Sequence, residues 1–322
     1  YVYYSPPLNT PTNGAPETGN AAAFQPYVGA NHLSRFRFDG NQLVPDSEQT
    51  ILRVTVDRGI CCHTGGNIDF DGAGNLYLST GDDTNPYQDG GHTPIDERAN
   101  RNPAFDAQRS SANTNDLRGK LLRIRVQPDG SYTIPDGNLF PEGTANTRPE
   151  IYAMGLRNPF RFAVNRANGE VYLADYAPDG QANPTRGPAG TAKWLVVRGA
   201  ANYGWPYCVG HLAYFDRDFA TGASGAQFAC DNLRNESPNN IGGLIELPPV
   251  TDPELMYTRG AVAGFPALGD GAVGPMAGPM YVFDPPSTSP IKWPAEYDGG
   301  IMFYEWTRRL IADFRLAADG SL

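Results

Sequence analysis

Three observations predict an all-β fold built from short antiparallel units. Glycine and proline are abundant, 37 and 29 of 322 residues, so stretches longer than about ten residues without a breaker are rare, which disfavours helices. Bulky and small residues alternate in short runs such as Leu76-Tyr77-Leu78-Ser79-Thr80. The same strand–turn–strand unit also recurs: Gly74-Asn75-Leu76-Tyr77-Leu78-Ser79 is matched 95 positions later by Gly169-Glu170-Val171-Tyr172-Leu173-Ala174. Similar units at irregular spacing point to a β-propeller with long inserted loops, with a β-sandwich as the structural alternative.

Taken in order, Tyr1-Val2-Tyr3-Tyr4-Ser5 reads as a strand already in progress, so residues upstream are expected to be missing. Residues 6–30, rich in Pro, Asn, Gly and Ala, form a long loop. His32 to Phe38 alternates, turns at Asp39-Gly40-Asn41 and leads to a strand over Gln49 to Val56. Cys61-Cys62-His63-Thr64-Gly65-Gly66 then places a titratable ring directly before two glycines. A strand follows over Asn67 to Phe70, then a turn at Asp71-Gly72-Ala73-Gly74 and a strand over Asn75 to Thr80. His63 therefore sits on a loop at the rim of a β unit. By itself that position fits a functional ring or a surface histidine beside a structural cysteine pair.

Residues 82–116 form a polar loop holding Asp82, Asp83, Asp89, Asp96, Glu97 and Asp106. Loops of this length are usually functional or disordered. The acids offer oxygen ligands for calcium, although their spacing matches no dedicated calcium loop. Asn113 to Gly119 feeds a strand over Lys120 to Val126, with a turn at Pro128-Asp129-Gly130. Further strands are expected over Phe160 to Val164, Glu170 to Tyr176, Gly300 to Trp306 and Arg309 to Leu316. The chain ends at Gly320-Ser321-Leu322, where another strand should begin, so both ends read as cut.

Composition narrows the function. With 25 basic and 35 acidic residues the formal net charge is −10, and no basic stripe appears, which argues against a nucleic-acid partner. No apolar run is long enough to span a membrane. The four cysteines, Cys61, Cys62, Cys208 and Cys230, are an even number, which points to disulfides and an extracytoplasmic (periplasmic or secreted) location. Cys208 and Cys230 are expected to pair across a loop of moderate length; for the adjacent Cys61 and Cys62, a bond and free thiols remain equally open.

The order of several short motifs carries a resemblance. These are Cys62-His63-Thr64-Gly65-Gly66, Ser79-Thr80-Gly81-Asp82, Leu117 to Arg123, Gly155-Leu156-Arg157-Asn158-Pro159-Phe160, Asp175-Tyr176-Ala177-Pro178-Asp179, Asn202-Tyr203-Gly204-Trp205-Pro206, Ala277-Gly278-Pro279 and Asp298-Gly299. Together they make the chain similar to the glucose/sorbosone dehydrogenase family, the soluble quinoprotein sugar dehydrogenases. The resemblance implies a six-bladed propeller with four-stranded blades. Residues 1–322 would form one such domain, its first blade missing and its last incomplete. It also implies pyrroloquinoline quinone (PQQ), assisted by calcium, in a pocket at the propeller top. The reaction would be oxidation of a sugar or related alcohol by hydride transfer to the quinone, with an external electron acceptor downstream.

On this resemblance His63 is the base for the substrate hydroxyl, and Asp82 orients it or contacts the cofactor. Arg157 and Asn158 match the cofactor-contacting pair, and a guanidinium fork suits quinone oxygens and carboxylates. Arg308 lies in the region of the family's late arginines. The metal position corresponds to Ala177, Pro178 and Asp179, while Ala192 and Lys193 stand where relatives often carry acids. Trp205, between Gly204 and Pro206, either lines a sugar site or packs between blades. Two further readings stay open: a non-catalytic secreted propeller that binds carbohydrate or protein, and a propeller hydrolase using calcium and a histidine.

Overall fold

The turn at Asp71 shows how local chemistry builds these sheets. The Asp71 carboxylate accepts the Ala73 and Asn75 backbone N–H groups at 3.0 and 2.8 Å, and Gly74 takes φ +84°. That conformation favours glycine, and it reverses the chain so that Ile68–Phe70 pairs antiparallel with Leu76–Thr80. Leu76–Thr80 is paired on its other edge with Lys120–Val126 and is buried along its whole length.

The computed structural model describes residues 1–322 and contains four principal sheets. The first joins Val2–Tyr4, Val28–Phe38 and Leu43–Asp57. The second runs from Ile68–Phe70 through Leu76–Thr80, Lys120–Val126 and Ile151–Met154 to Ala201–Asn202; all pairs are antiparallel except the last, which is parallel. The third runs Arg161–Val164, Val171–Asp175, Ala192–Val197, Leu255–Tyr257. The fourth comprises Pro275–Met280, Ile301–Glu305 and Leu310–Phe314. The only α-helix is the four-residue Ala21–Phe24, and no helix is long and apolar enough to cross a membrane. The all-β expectation holds. The sheets are separate and open, with no strand pairing from one principal sheet to the next.

Neighbouring sheets share cores, and the two-residue period of the strands divides the side chains between them. Val171 and Leu173 enter a core with Tyr77, Leu121, Tyr152 and Phe162 of adjoining strands. Tyr172 and Ala174, from the same strand, enter the next core with Trp194, Tyr257, Phe303 and Phe314. Leu76 and Leu78 face the opposite way from Tyr77, into a core with Leu33, Val54, Leu122 and Ile124. The edge strands are tied together by hydrogen bonds. Asn67 Nδ2 donates to the Phe162 carbonyl at 2.8 Å, and Val164 N–H donates to the Asp69 carboxylate at 2.8 Å.

The 82–116 segment contains no β-strand, only two short 3₁₀ turns at Pro103–Phe105 and Ala107–Arg109. It is not the exposed acidic loop its composition implies: Asp82, Asp83, Asp89, Asp96 and Asp106 are all buried. Several of these acids are consumed by the protein itself. Asp83 pairs with Arg118 at 3.0 Å, Asp96 with Arg98 and Arg101 at 2.6 and 3.0 Å, and Asp106 accepts from Ser237 and Asn239. Cys208 and Cys230 form the expected disulfide, with Cα atoms 6.0 Å apart. The neighbouring sulfurs of Cys61 and Cys62 are also in contact.

Candidate active site

The loop carrying His63 leans against the end of the strand Leu76–Thr80, and glycines make the contact possible. A Cβ on Gly81 would lie 2.0 Å from the His63 carbonyl oxygen, and one on Gly65 would lie 2.8 Å from the Gly81 nitrogen. The His63 carbonyl accepts the Asp83 N–H at 2.9 Å. With the backbone fixed in this way, His63 Nδ1 lies 2.8 Å from Asp82 Oδ1.

Asp82 is fully buried and its carboxylate is saturated by donors. Besides His63, it accepts the Thr84 N–H at 3.0 Å and, on Oδ2, the Trp205 indole N–H at 2.8 Å. A carboxylate that accepts Nδ1–H fixes the imidazole tautomer and leaves the lone pair on Nε2. Burial holds the His63 ring below the usual imidazole range, Arg157 pushes it the same way, and Asp82 opposes both. At neutral pH the ring is uncharged and able to accept a proton.

Arg157 and Asn158 stand beside this pair. Both backbone N–H groups are held by the Asp175 carboxylate, at 3.0 Å for Arg157 and 2.7 Å for Asn158. The Asn158 side-chain oxygen accepts the Gly65 N–H at 3.2 Å, which joins it to the His63 loop. The Arg157 guanidinium lies 5.8 Å from the centroid of the Trp205 ring and donates one N–H to the Ala177 carbonyl at 3.0 Å. Its other donors remain available. Lys193 is not a stray cation: its ammonium is 3.0 Å from Asp175 and both groups are buried. It neutralises the carboxylate that orients Arg157 and Asn158.

The structure thus brings His63, Asp82, Arg157 and Asn158 together. The Arg308 guanidinium is occupied by the backbone carbonyls of Thr258, Leu268, Gly269, Gly271 and Ala272. At the expected metal position, the Ala177 carbonyl serves Arg157 and the Asp179 side chain pairs with Arg259. No group of three His, Cys, Asp or Glu residues is arranged to hold a metal ion. Of the three expected donors, the Ala177 carbonyl and the Asp179 carboxylate are thus engaged within the protein. The unspent side-chain donors of Arg157 and Asn158 are of the kind that quinone oxygens accept.

Some site residues were not legible in advance. Trp205 is buried, as packing between sheets required, but its N–H serves Asp82. Tyr214 packs edge-on against Trp205, with ring centroids 5.9 Å apart. Asp89 lies close enough to feel the charges of Arg157 and Arg186, yet burial pushes its carboxyl up to about 7. Asp89 stands in the sequence only as one of the acids of the 82–116 loop, and no local motif announces Tyr214 or Arg186; burial of their loops reveals all three.

The sequence profile described as Glucose / Sorbosone dehydrogenase matches residues 22–230, so the chain belongs to that family. Among curated proteins, it is 30% identical over 175 residues to the HIPL2 protein of Arabidopsis thaliana, covering 49% of this chain and 21% of that protein. It is 27% identical over 166 residues to the aldose sugar dehydrogenase YliI of Escherichia coli (strain K12), covering 52% of this chain and 35% of that protein. The matched region therefore spans only a minor part of either relative's length. A solved structure of the PQQ-bound form of aldose sugar dehydrogenase from Streptomyces coelicolor aligns with a TM-score of 0.45 and 16% identity, over 96% of this chain and 67% of that one.

Proposed function

We propose that this chain carries the site of a PQQ-dependent dehydrogenase that oxidises a sugar or related alcohol and passes the electrons to an external acceptor. The observation that carries this reading is the connected set Trp205–Asp82–His63, with Asn158 joined to the His63 loop through Gly65 and the Arg157 carbonyl accepting the Asp82 N–H. Family membership and the similarity to the E. coli aldose sugar dehydrogenase support the substrate class. We further read the stacked sheets as successive blades of a six-bladed β-propeller, and the Cys208–Cys230 bond as support for an extracytoplasmic location.

In this reading His63 Nε2 accepts the proton of the substrate hydroxyl as hydride leaves the adjoining carbon. Asp82 stabilises the imidazolium that forms, and Trp205 keeps Asp82 from turning away. PQQ supplies the two-electron acceptor when bound. Arg157 and Asn158 would hold its oxygens, and the guanidinium charge favours the negative charge that develops on reduction. Asp175 and Lys193 act one step removed, by fixing the backbone of that pair. The reading uses no metal.

The test is direct. The protein is titrated with PQQ while its tryptophan fluorescence is followed, then assayed for dye reduction with a panel of aldoses. PQQ-dependent turnover that falls on the order of 10²–10⁴-fold in His63→Gln is expected. Failure of the unaltered protein to bind PQQ refutes the reading and leaves the non-catalytic binding protein in its place.

A further inference from the structure

Beside Arg157 lies a set of buried polar groups for which the protein supplies no partners. Arg186 is 9% exposed, and its Nε and Nη2 find no acceptor. The Tyr214 hydroxyl and His92 Nδ1 are likewise buried without hydrogen bonds. A buried donor with no acceptor is destabilising, and more so when it is charged, so groups of this kind are arranged for something that completes them.

The backbone holds these side chains in place. The Arg186 carbonyl accepts the Phe215 N–H at 3.2 Å, and its own N–H donates to Asn183 at 3.2 Å. A Cβ on Gly187 would come within 2.7 Å of the Tyr214 ring, and one on Gly180 within 2.8 Å of the His92 ring, so three loops meet here without slack. The charges are unbalanced. Arg157, Arg186 and Arg217 act on this region, and Asp89 is the carboxylate that acts on Arg186. Asp89 Oδ1 is already taken by the Gly91 N–H at 2.6 Å.

We infer that Arg186, Tyr214 and His92, set around Asp89 beside Arg157, form a subsite for a carboxylate. A planar guanidinium with free adjacent donors matches a carboxylate's two oxygens, and a phenol hydroxyl adds a third donor. Tyr214 is one ring removed from Trp205 and hence from Asp82. Arg157, which stands beside the His63 loop, also acts on Asp89 and Tyr214, so a ligand held here shares that guanidinium with the site described above. The inference rests on the dehydrogenase reading for the identity of the ligands: the carboxylate comes from a uronic acid substrate or from the quinone.

The two sources are separated by binding measurements on the protein free of cofactor. D-glucuronate is compared with D-glucuronamide, which matches it in size but is neutral, and PQQ is titrated separately. Each titration is repeated with Arg186→Gln and Arg186→Lys, with far-ultraviolet circular dichroism as a check on folding. If the substrate supplies the carboxylate, the unaltered protein prefers glucuronate by about 10- to 100-fold, and Arg186→Gln abolishes the preference. If the quinone supplies it, the sugars bind alike and PQQ affinity falls by a similar factor in Arg186→Gln. The inference is overturned if glucuronate and glucuronamide bind alike and PQQ affinity is unchanged by the substitution. Because the sugar comparison on the unaltered protein needs no quinone, it stands even if PQQ does not bind and the dehydrogenase reading fails.

Discussion

Replacing Asp82 with Asn tests the site more sharply than removing the histidine, because it keeps size and shape while turning one accepting oxygen into a donor and removing the charge. In the native arrangement the Asp82 carboxylate receives three donors: His63 Nδ1 at 2.8 Å, Trp205 Nε1 at 2.8 Å and Thr84 N at 3.0 Å. An amide has one accepting oxygen and one donating nitrogen. If its NH₂ faces Trp205, two donors confront each other in a fully buried position, at a cost of roughly 1–3 kcal/mol. If its NH₂ faces His63, Nδ1 must accept, the ring proton moves to Nε2, and the lone pair needed for the substrate hydroxyl is lost. Either outcome removes the oriented base, so kcat is expected to fall on the order of 10²–10⁴-fold. PQQ affinity should change little, because Arg157 and Asn158 are held by Asp175.

The pH profile adds a signed prediction. His63 is held below the ordinary imidazole range by burial first and by Arg157 next, with Asp82 opposing. Activity of the native protein should therefore fall as pH drops through that lowered value, where the ring becomes protonated. Loss of the Asp82 charge removes the group that raises the ring's pKa, so the acid limb of any residual activity moves to lower pH. The assay is dye reduction across pH with PQQ saturating, alongside a PQQ titration. An Asp82→Asn protein that folds, binds PQQ and retains native kcat would refute the role assigned to the Asp82–His63 pair.

Three other outcomes are expected. Cys208→Ser should lower stability by roughly 3 kcal/mol in urea melts, the amount expected for closing a loop of this length, and reductant should have the same effect on the native protein. Leu173→Ala, in the core between the second and third sheets, should cost about 2–5 kcal/mol, whereas Ile311→Ala, at a side chain 67% exposed, should stay within about 0.5 kcal/mol by thermal denaturation. Lys193→Met leaves Asp175 buried and unpaired, which should destabilise by about 3–5 kcal/mol and weaken PQQ binding; Lys193→Met with Asp175→Asn should recover much of the stability.

The strands were legible because their information is local. Gly74 and Gly169 adopt the positive φ their turns need. The alternation in Val171 to Asp175 reads directly as two faces, and the structure sends those faces into two different cores. His63, Asp82, Arg157 and Asn158 were named from motifs, since short glycine-flanked segments keep their identity wherever they fold. Tertiary structure decided the contacts between distant segments. Asp82 and Trp205 are 123 residues apart, and nothing local distinguishes an indole that fills space from one that donates to a buried carboxylate. Lys193 reads as a cation misplaced in a metal site until Asp175 is found opposite it. Sequence places Arg308 among the late arginines, but only folding shows that five backbone carbonyls engage its guanidinium. The physical reason is common to all of them. Backbone geometry follows from neighbours in sequence, whereas the state of a buried polar group depends on which distant donors and acceptors folding brings within about 3 Å.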